Sequence, residues 1–334
     1  MPHTLRSTVT EFLNRTLNAT PIRELAILSD MTGTLLDQTD DGSGFALSLR
    51  AAVANFVKAG GVFVLISGDS EAIVEDQFLR RLPPGIGPIF YAPASGSKIG
   101  CWRSDSAGTS HENLFELPPA PPSTLRALTR RVEKILATRV SGFRFTTEHQ
   151  EVFHSPAGGR PDVSEQLGLS EIAWVECRPD KGFAIFFPGS RRAAGLACQL
   201  IDDVANDSEI RTIAEDSQLK IIRGANFCDV ILSDKGAAVN RIRQLPALAP
   251  LLSRRKLIVL GDGRNDLEMY AAAADGVHVF VGAESDFAAV TGGGNRAIHI
   301  PGFTRGTEVF LDALASSRTQ ANAGSGNSLR PDPL

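Results

Sequence analysis

The feature that most constrains the fold is a pair of short, largely apolar runs that each end in small polar residues. Glu24–Ser29 ends at Asp30, and Val62–Ile66 ends at Ser67. An amphipathic, helix-like stretch follows each run. A strand that is apolar throughout is buried on both faces, as in a parallel sheet covered by helices. The alternation therefore predicts an α/β, Rossmann-like sheet whose ligand groups collect at the carboxyl ends of the strands.

The pattern changes between Tyr91 and Leu232 and returns afterwards. Strand-like runs lie at 143–148, 172–176, 182–187, 219–223 and 227–232, and helix-like stretches lie at 123–138 and 191–204. This mixture predicts an inserted α+β cap with a mainly antiparallel sheet. The predicted division is an N-terminal extension at 1–22, a core at 23–92 and 233–315, a cap at 93–232 and a disordered, Ser/Asn/Gly/Pro-rich tail at 316–334.

Composition limits the class of partner. The 334-residue chain has a net charge of −4 and no run of Lys or Arg, so it lacks the basic surface of a nucleic-acid-binding protein. It contains no apolar stretch near the roughly 20 residues of a membrane span. The four cysteines lie far apart and match no zinc spacing, which favours free thiols. We expect a cytoplasmic monomer or homodimer without nucleic-acid or membrane partners.

Four polar clusters follow apolar runs or begin a helix. They are Asp30-Met31-Thr32-Gly33-Thr34, Ser67-Gly68-Asp69, Asp234-Lys235-Gly236 and Gly261-Asp262-Gly263-Arg264-Asn265-Asp266. In this order they resemble the four motifs of the haloacid dehalogenase superfamily, over about residues 24 to 314. The last cluster continues as Leu267-Glu268-Met269 and resembles the GDxxNDxxM signature of the branch with a type-two, Cof-like cap. The resemblance implies a Mg²⁺-dependent phosphatase.

Phosphoryl transfer needs a nucleophile, a cation that neutralises the phosphate oxygens, and donors that hold them. Asp30 is the predicted nucleophile, which forms an aspartyl-phosphate that water later hydrolyses, and Lys235 offsets its charge. Mg²⁺ prefers oxygen ligands. The predicted metal ligands are Asp30, the backbone carbonyl of Thr32, Asp262 and Asp266.

The remaining predicted roles concern the phosphate and the metal-bound water. Ser67, with backbone amides near Thr32 and Gly68, would donate hydrogen bonds to the phosphate together with Lys235. Asn265 and Asp266 would orient the metal-bound waters and Lys235. Each of these residues alone is more often a turn, cap or surface residue, and only their joint order supports a catalytic interpretation.

Thr32 departs from the family pattern. Most phosphatases of the superfamily carry an Asp at this position, which protonates the leaving oxygen and then deprotonates water, and a threonine hydroxyl cannot do so near neutral pH. The segment resembles the DxTGT of P-type ATPases instead. Three alternatives stay open: a slow phosphatase, a phosphotransferase or mutase, and a non-catalytic binding protein. The candidate replacement acids are Glu148, His149, Glu176 and Asp37.

The cap is expected to select the substrate. A cap over the phosphate site suits a small phosphorylated metabolite better than a protein. The segment from Trp174 to Ala184 resembles the cap of trehalose-phosphate and related glycosyl-phosphate phosphatases, which implies a sugar or glycosyl phosphate. The predicted substrate contacts are Arg144, Glu148, Glu176, Arg178 and Lys181, although a solvated sheet face would look the same.

Overall fold

The computed structural model describes residues 2–18, 20–37, 44–105, 108–139, 174–186, 194–224, 227–290 and 296–325. The strands are β1 Leu25–Ser29, β2 Val62–Ile66, β3 Ile89–Ala92, β4 Lys98–Asp105, β5 Gly108–Glu116, β6 Trp174–Arg178, β7 Gly182–Phe186, β8 Lys220–Arg223, β9 Phe227–Ile231, β10 Lys256–Gly261, β11 Val277–Phe280 and β12 Ala297–His299. The helices are α1 Pro2–Leu17, α2 Leu47–Lys58, α3 Glu71–Gln77, α4 Pro122–Arg139, α5 Ala194–Asn206, α6 Ser208–Asp216, α7 Lys235–Gln244, α8 Ala249–Leu252, α9 Leu267–Ala272, α10 Glu284–Val290 and α11 Thr304–Ser325.

The larger sheet has eight strands in the order β12-β11-β10-β1-β2-β3-β4-β5, parallel from β12 to β3. Both of its faces are covered. In β1, Leu25 and Ile27 pack on one face with residues of α1, α2 and α11, whereas Ala26 and Leu28 pack on the other with residues of α7, α9 and α10. Burial on both faces explains why the parallel strands are continuous apolar runs. The predicted α/β class is confirmed.

The register of the central strands brings their carboxyl ends to one level. Ser29 of β1 lies opposite Leu65 of β2 and Leu260 of β10. The residues that follow these strands are Asp30, Ser67 and Asp262, so three of the four polar clusters start at the same edge of the sheet. This edge is where open α/β sheets bind ligands.

The start of the predicted cap needs correction. The hairpin β4–β5 pairs with β3 and extends the larger sheet, so residues 98–116 do not belong to the cap sheet. Cys101 and Trp102 of β4 are buried on opposite faces of that sheet. β5 is an edge strand with a polar sequence and is exposed along most of its length. Its sequence therefore lacks the apolar pattern by which strands are recognised.

Both ends of the described chain also differ from the prediction. The predicted extension contains helix α1, which packs against α11 through buried residues such as Phe12 and Leu13. The predicted disordered tail begins inside α11, which continues to Ser325, and Ser317 is buried. A small-residue sequence that would not stay ordered alone becomes helical here because α1 covers the helix. Residues 326–334 lie outside the described residues.

The cap contains a four-stranded antiparallel sheet in the order β6-β7-β9-β8. Helices α4, α5 and α6 share a core with it. Four of the five predicted strands match β6 to β9, whereas the predicted strand at 143–148 lies outside the described residues. The β6–β7 turn contacts both segments that connect the cap to the core, since Pro179 O accepts from Ala120 N at 2.7 Å and Lys181 O accepts from Leu232 N at 2.8 Å.

Candidate active site

Asp30 stands directly after β1, and a tight turn holds it there. Its backbone N–H continues the sheet by donating to Leu260 O at 2.9 Å. The turn closes where Met31 O accepts from the amides of Leu35 and Leu36, and Gly33 has a φ of +87°. A Cβ on Gly33 would lie 2.1 Å from Asp262 Oδ2, so only glycine lets the Asp262 carboxylate come this close.

Lys235 joins Asp30 to Asp266 in a buried ion network. Lys235 Nζ lies 2.5 Å from Asp30 Oδ1 and 2.6 Å from Asp266 Oδ1, and all three residues are buried. Lys235 is the first residue of α7, whose N-terminus is capped by the carboxylate of Asp234. The network therefore brings together residues of three of the predicted clusters, with their charged groups held away from water.

Asp266 also binds the backbone of the loop after β10. Its Oδ2 accepts from the backbone amides of Asp262 at 2.9 Å and of Gly263 at 3.0 Å, while Oδ1 accepts from Lys235. Both oxygens are thus engaged within the protein. The Thr34 hydroxyl, which had no predicted role, lies 3.1 Å from Asp262 Oδ1 and 3.3 Å from Asp30 Oδ2. These contacts fix the loop after β10 against the loop after β1.

The electrostatics of this cluster favour a cation. Burial raises the pKa of Asp30 well above its usual range, and Asp266 and Asp262 add to the rise against the opposing charge of Lys235. Burial, followed by the charge of Asp266, raises the pKa of Asp262 to about 6. Burial lowers the pKa of Lys235, but Asp266 and Asp30 outweigh it, so the pKa of Lys235 lies above its ordinary value.

The donor set fits Mg²⁺. One carboxylate oxygen from each of Asp30, Asp262 and Asp266 lies within 4.8 Å of the other two. Three carboxylates and one ammonium leave two surplus negative charges when all are ionised, which a divalent cation would balance. Hard oxygen donors are the ligands that Mg²⁺ prefers. The roles assigned to these residues and to the Thr32 carbonyl stay predictions.

The loop after β2 forms the other side of the site. Ser67 is buried, and its backbone is paired with the segment after β3, because Ser67 N donates to Ala92 O at 3.0 Å and Ser95 N donates to Ser67 O at 2.7 Å. The Ser67 hydroxyl donates to Asp69 Oδ2 at 2.9 Å, and the Thr32 hydroxyl donates to the same oxygen at 3.1 Å. Gly68 lies between Ser67 and Asp69 in the same loop.

Asp69 had no predicted role. It stands in one of the four clusters, where a carboxylate after Ser-Gly is typical of turn chemistry. Only the tertiary structure places it against Thr32, 37 residues away in the sequence. A short left-handed run, Ala94 to Gly96, supports this loop from behind. Ala94 N donates to Asp69 O at 2.7 Å, so the strained segment is tied to the site.

The other predicted residues divide into three groups. Arg178 and Lys181 are buried and contact Asp180 and Asp229, so a solvated sheet face does not describe these two. Asp37 accepts from the Thr304 hydroxyl at the start of α11 at 2.5 Å, and Asn265 is exposed on the turn after β10. Outside the described residues lie Arg144, Glu148, His149 and the side chain of Glu176.

Comparison with known proteins supports the fold. No protein family and no curated protein matches the chain by sequence. Among solved structures, a protein described as a HAD/Cof-like hydrolase from Plasmodium vivax matches with a TM-score of 0.56 and 14% identity, over 92% of this chain and 99% of that one.

Two trehalose-6-phosphate phosphatase structures also match. The C-terminal domain from C. albicans has a TM-score of 0.55 and 15% identity, over 93% of this chain and 96% of that one. The Aspergillus fumigatus protein has a TM-score of 0.50 and 14% identity, over 94% and 97%. In the part of the chain that the structure describes, no helix is both long and apolar enough to cross a lipid bilayer. The chain therefore has the haloacid dehalogenase fold that the four motifs imply.

Proposed function

We propose that this protein is a Mg²⁺-dependent phosphomonoester hydrolase that acts through an aspartyl-phosphate on Asp30. The observation that carries the proposal is the Asp30 carboxylate, buried after β1 and held 2.5 Å from Lys235 Nζ beside Asp262. Asp30 attacks the phosphorus, and the bond from phosphorus to the leaving oxygen breaks. Water then cleaves the acyl-phosphate and regenerates Asp30.

The surrounding groups support that reaction. Lys235 offsets negative charge on Asp30 and on the phosphoryl group, and Thr34 orients the Asp30 carboxylate through its hydroxyl. Ser67 and the amide of Gly68 hold the phosphate oxygens. A bound Mg²⁺ would neutralise phosphate charge, with Asp30, Asp262 and the Thr32 carbonyl as ligands and with Asp266 and Asn265 behind them.

We infer that the substrate is a small sugar or glycosyl phosphate in the cytoplasm. Two of the structures that share the fold are described as trehalose-6-phosphate phosphatases, which favours this class. The buried cations Arg178 and Lys181 flank the β6–β7 turn. This turn contacts both segments that connect the cap to the core, so it lies on the side of the cap that adjoins the core. The full chain would act alone or as a homodimer.

A panel of sugar phosphates tests the proposal. We expect phosphate release from at least one member, dependent on Mg²⁺, and a loss on the order of 10³-fold or more in Asp30→Asn. Asp76→Asn, which changes an exposed carboxylate of α3, serves as the matched control and should keep full activity. Absence of release from every compound at high enzyme concentration would contradict the proposal.

A phosphotransferase is the second candidate, because Thr32 replaces the residue that activates water in the resembled family. A donor labelled in its phosphoryl group distinguishes the two reactions. Label found in inorganic phosphate alone supports hydrolysis, and label found on an added sugar supports transfer. Ligand binding without either product would favour a binding protein.

A further inference from the structure

The proposed reaction lacks a proton carrier at Thr32. An alkoxide leaving group needs a proton as it departs, and the attacking water must lose one, and a threonine hydroxyl does neither near neutral pH. Another group at the site must therefore serve both steps. Among the described residues, four carboxylates line the site, on Asp30, Asp69, Asp262 and Asp266.

Three of these four carboxylates have other contacts or lie on the other side of the site. Asp30 is the proposed nucleophile and contacts Lys235, and Asp266 uses both oxygens on Lys235 and two backbone amides. Asp262 lies on the β10 side of Asp30, next to Thr34. Asp69 alone among them contacts the Thr32 side chain, and it does so from the loop after β2, a strand on the opposite side of β1 from β10.

Contacts of both its side chain and its backbone hold Asp69 in place. Its Oδ2 lies 3.1 Å from Thr32 Oγ1 and 2.9 Å from Ser67 Oγ, so one carboxylate oxygen bridges the resembled acid/base position and the proposed phosphate donor. Its backbone N–H donates to Ser67 Oγ at 3.1 Å, and its carbonyl accepts from Ala94 N at 2.7 Å. The residue is partly buried, and these contacts fix its backbone.

We propose that Asp69 transfers the protons that the missing carboxylate at position 32 would otherwise transfer. This inference rests on the proposed function. In the first step Asp30 forms its bond to phosphorus, the leaving oxygen departs, and that oxygen takes the proton of the Asp69 carboxyl. In the second step water attacks phosphorus, the bond to Asp30 breaks, and the proton of the water returns to Asp69. Protons and charges balance over the cycle.

The variant Asp69→Asn separates proton transfer from phosphorylation. Asparagine keeps an oxygen that can accept from Thr32 and Ser67 but cannot carry the proton. With p-nitrophenyl phosphate, nitrophenolate leaves as a stable anion, so we expect a burst of about one nitrophenol per enzyme, followed by steady turnover about 10²–10⁴-fold below wild type. The burst also shows that the variant is folded. With the sugar phosphate found in the panel, whose leaving group needs the proton, we expect no burst.

A second variant distinguishes a proton carrier from a positioning residue. Adding Thr32→Asp to Asp69→Asn restores a carboxylate at the position that the family uses, and we expect turnover to recover at least about tenfold, as part of the contribution of a general acid/base. A carboxylate that only holds Ser67 and Thr32 in place would not be replaced in this way. Asp76→Asn is again the matched control.

The two proposals fail differently. An active wild type together with an Asp69→Asn variant within threefold of it would overturn the role of Asp69 and leave the phosphatase intact. Loss of activity in Asp69→Asn without recovery in the double variant would overturn proton transfer by Asp69, and would direct attention to the cap. A wild type inactive on every phosphate ester overturns both proposals.

Discussion

Charged groups are arranged in opposite ways in the buried cluster of the core and in the outer ion pairs of the cap. In the core, Lys235, Asp30 and Asp266 are all buried, and Lys235 is the cation in contact with two carboxylates. In the cap, the partly buried Arg131 pairs with Asp207 and with the exposed Glu209, and Arg223 pairs with Asp202 on side chains that are 54% and 43% exposed. Burying ions carries a large desolvation cost, whereas exposed pairs contribute little either way.

The contrast identifies which charges serve stability and which serve chemistry. A surplus of buried negative charge weakens a fold unless something balances it, so the core cluster is best explained by the divalent cation that it would bind. The exposed cap pairs need no ligand to explain them. Four substitutions test this distinction, from the largest expected effect to the smallest.

Lys235→Met should have the largest effect. It leaves Asp30 and Asp266 buried without their cation, so we expect the free energy of unfolding to fall by about 3–5 kcal/mol in the absence of metal. Mg²⁺ should recover part of this loss. Chemical denaturation with and without Mg²⁺ measures both. Lys98→Met is the control, because Lys98 Nζ also lies 2.5 Å from a carboxylate, that of Glu71, but in a partly exposed pair. Equal losses in the two variants would break the comparison.

Gly33→Ala tests the approach of Asp262 to the turn after β1. The left-handed backbone and the clash with Asp262 should together destabilise the fold by about 1–3 kcal/mol, and displacement of Asp262 should weaken Mg²⁺ binding. Titration calorimetry measures the binding. Gly85→Ala is the control, because Gly85 also has a positive φ, +72°, but nothing lies within 4 Å of a Cβ added there. The control should lose stability alone, and unchanged Mg²⁺ affinity in Gly33→Ala would contradict the prediction.

Asp262→Asn should stabilise the metal-free protein at pH 7. The folded-state pKa is raised from 3.8 to about 6, so between these values the folded protein binds a proton that the unfolded chain has lost. The contribution of Asp262 to stability therefore falls as pH rises from about 4 to 6 and stays low above it.

For Asp262→Asn we expect a gain of about 1–2 kcal/mol at pH 7, a figure reduced for partial exposure, and none below pH 4. The wild type, and not the variant, should gain about 2–3 kcal/mol from Mg²⁺ at 100 times its dissociation constant. Denaturation in a chelator at both pH values measures the first effect. A variant less stable than wild type at pH 7 would refute the assignment, and Asp275→Asn at the surface is the control.

Arg131→Gln should have the smallest effect. Arg131 donates to both oxygens of Asp207, at 2.9 and 2.6 Å, and Asp207 also caps α6 through the amides of Glu209 and Ile210. The hydrogen bonds that cap α6 survive the substitution, so we expect only a small loss of stability and unchanged turnover in the sugar-phosphate assay. Thermal unfolding and the activity assay check this. A loss comparable to that of Lys235→Met would remove the distinction between the two regions.

The parts of the core that depend on neighbouring residues in the sequence were predictable. Asp30, Ser67 and Asp262 each follow a strand directly, so the apolar pattern that predicts the strand also places the residue at the edge of the sheet. The hairpin β4–β5 and helix α1 were missed for the opposite reason. β5 is polar and exposed, and α1 becomes helical against α11, which lies at the far end of the chain.

Side-chain partnerships were the least predictable part of the site. Asp69 and Thr34 have no distinguishing sequence signal, because their contacts join segments that are distant in the sequence. Lys181 and Arg178 were assigned to the substrate or to a solvated face, and their burial depends on how the cap packs. Propensity and spacing carry no information about such packing.

Asp266 gives the core cluster a thermodynamic property that single contacts lack. Because one carboxylate holds Lys235 with one oxygen and the backbone of Asp262 with the other, the lysine and the candidate cation site share a rigid link. Linkage is reciprocal. If a cation bound at Asp262 stabilises the position of Lys235 by a given free energy, Lys235 strengthens the binding of that cation by the same free energy. The two loops then respond to ligands as one unit, and losses of Lys235 and of Asp262 should not be additive.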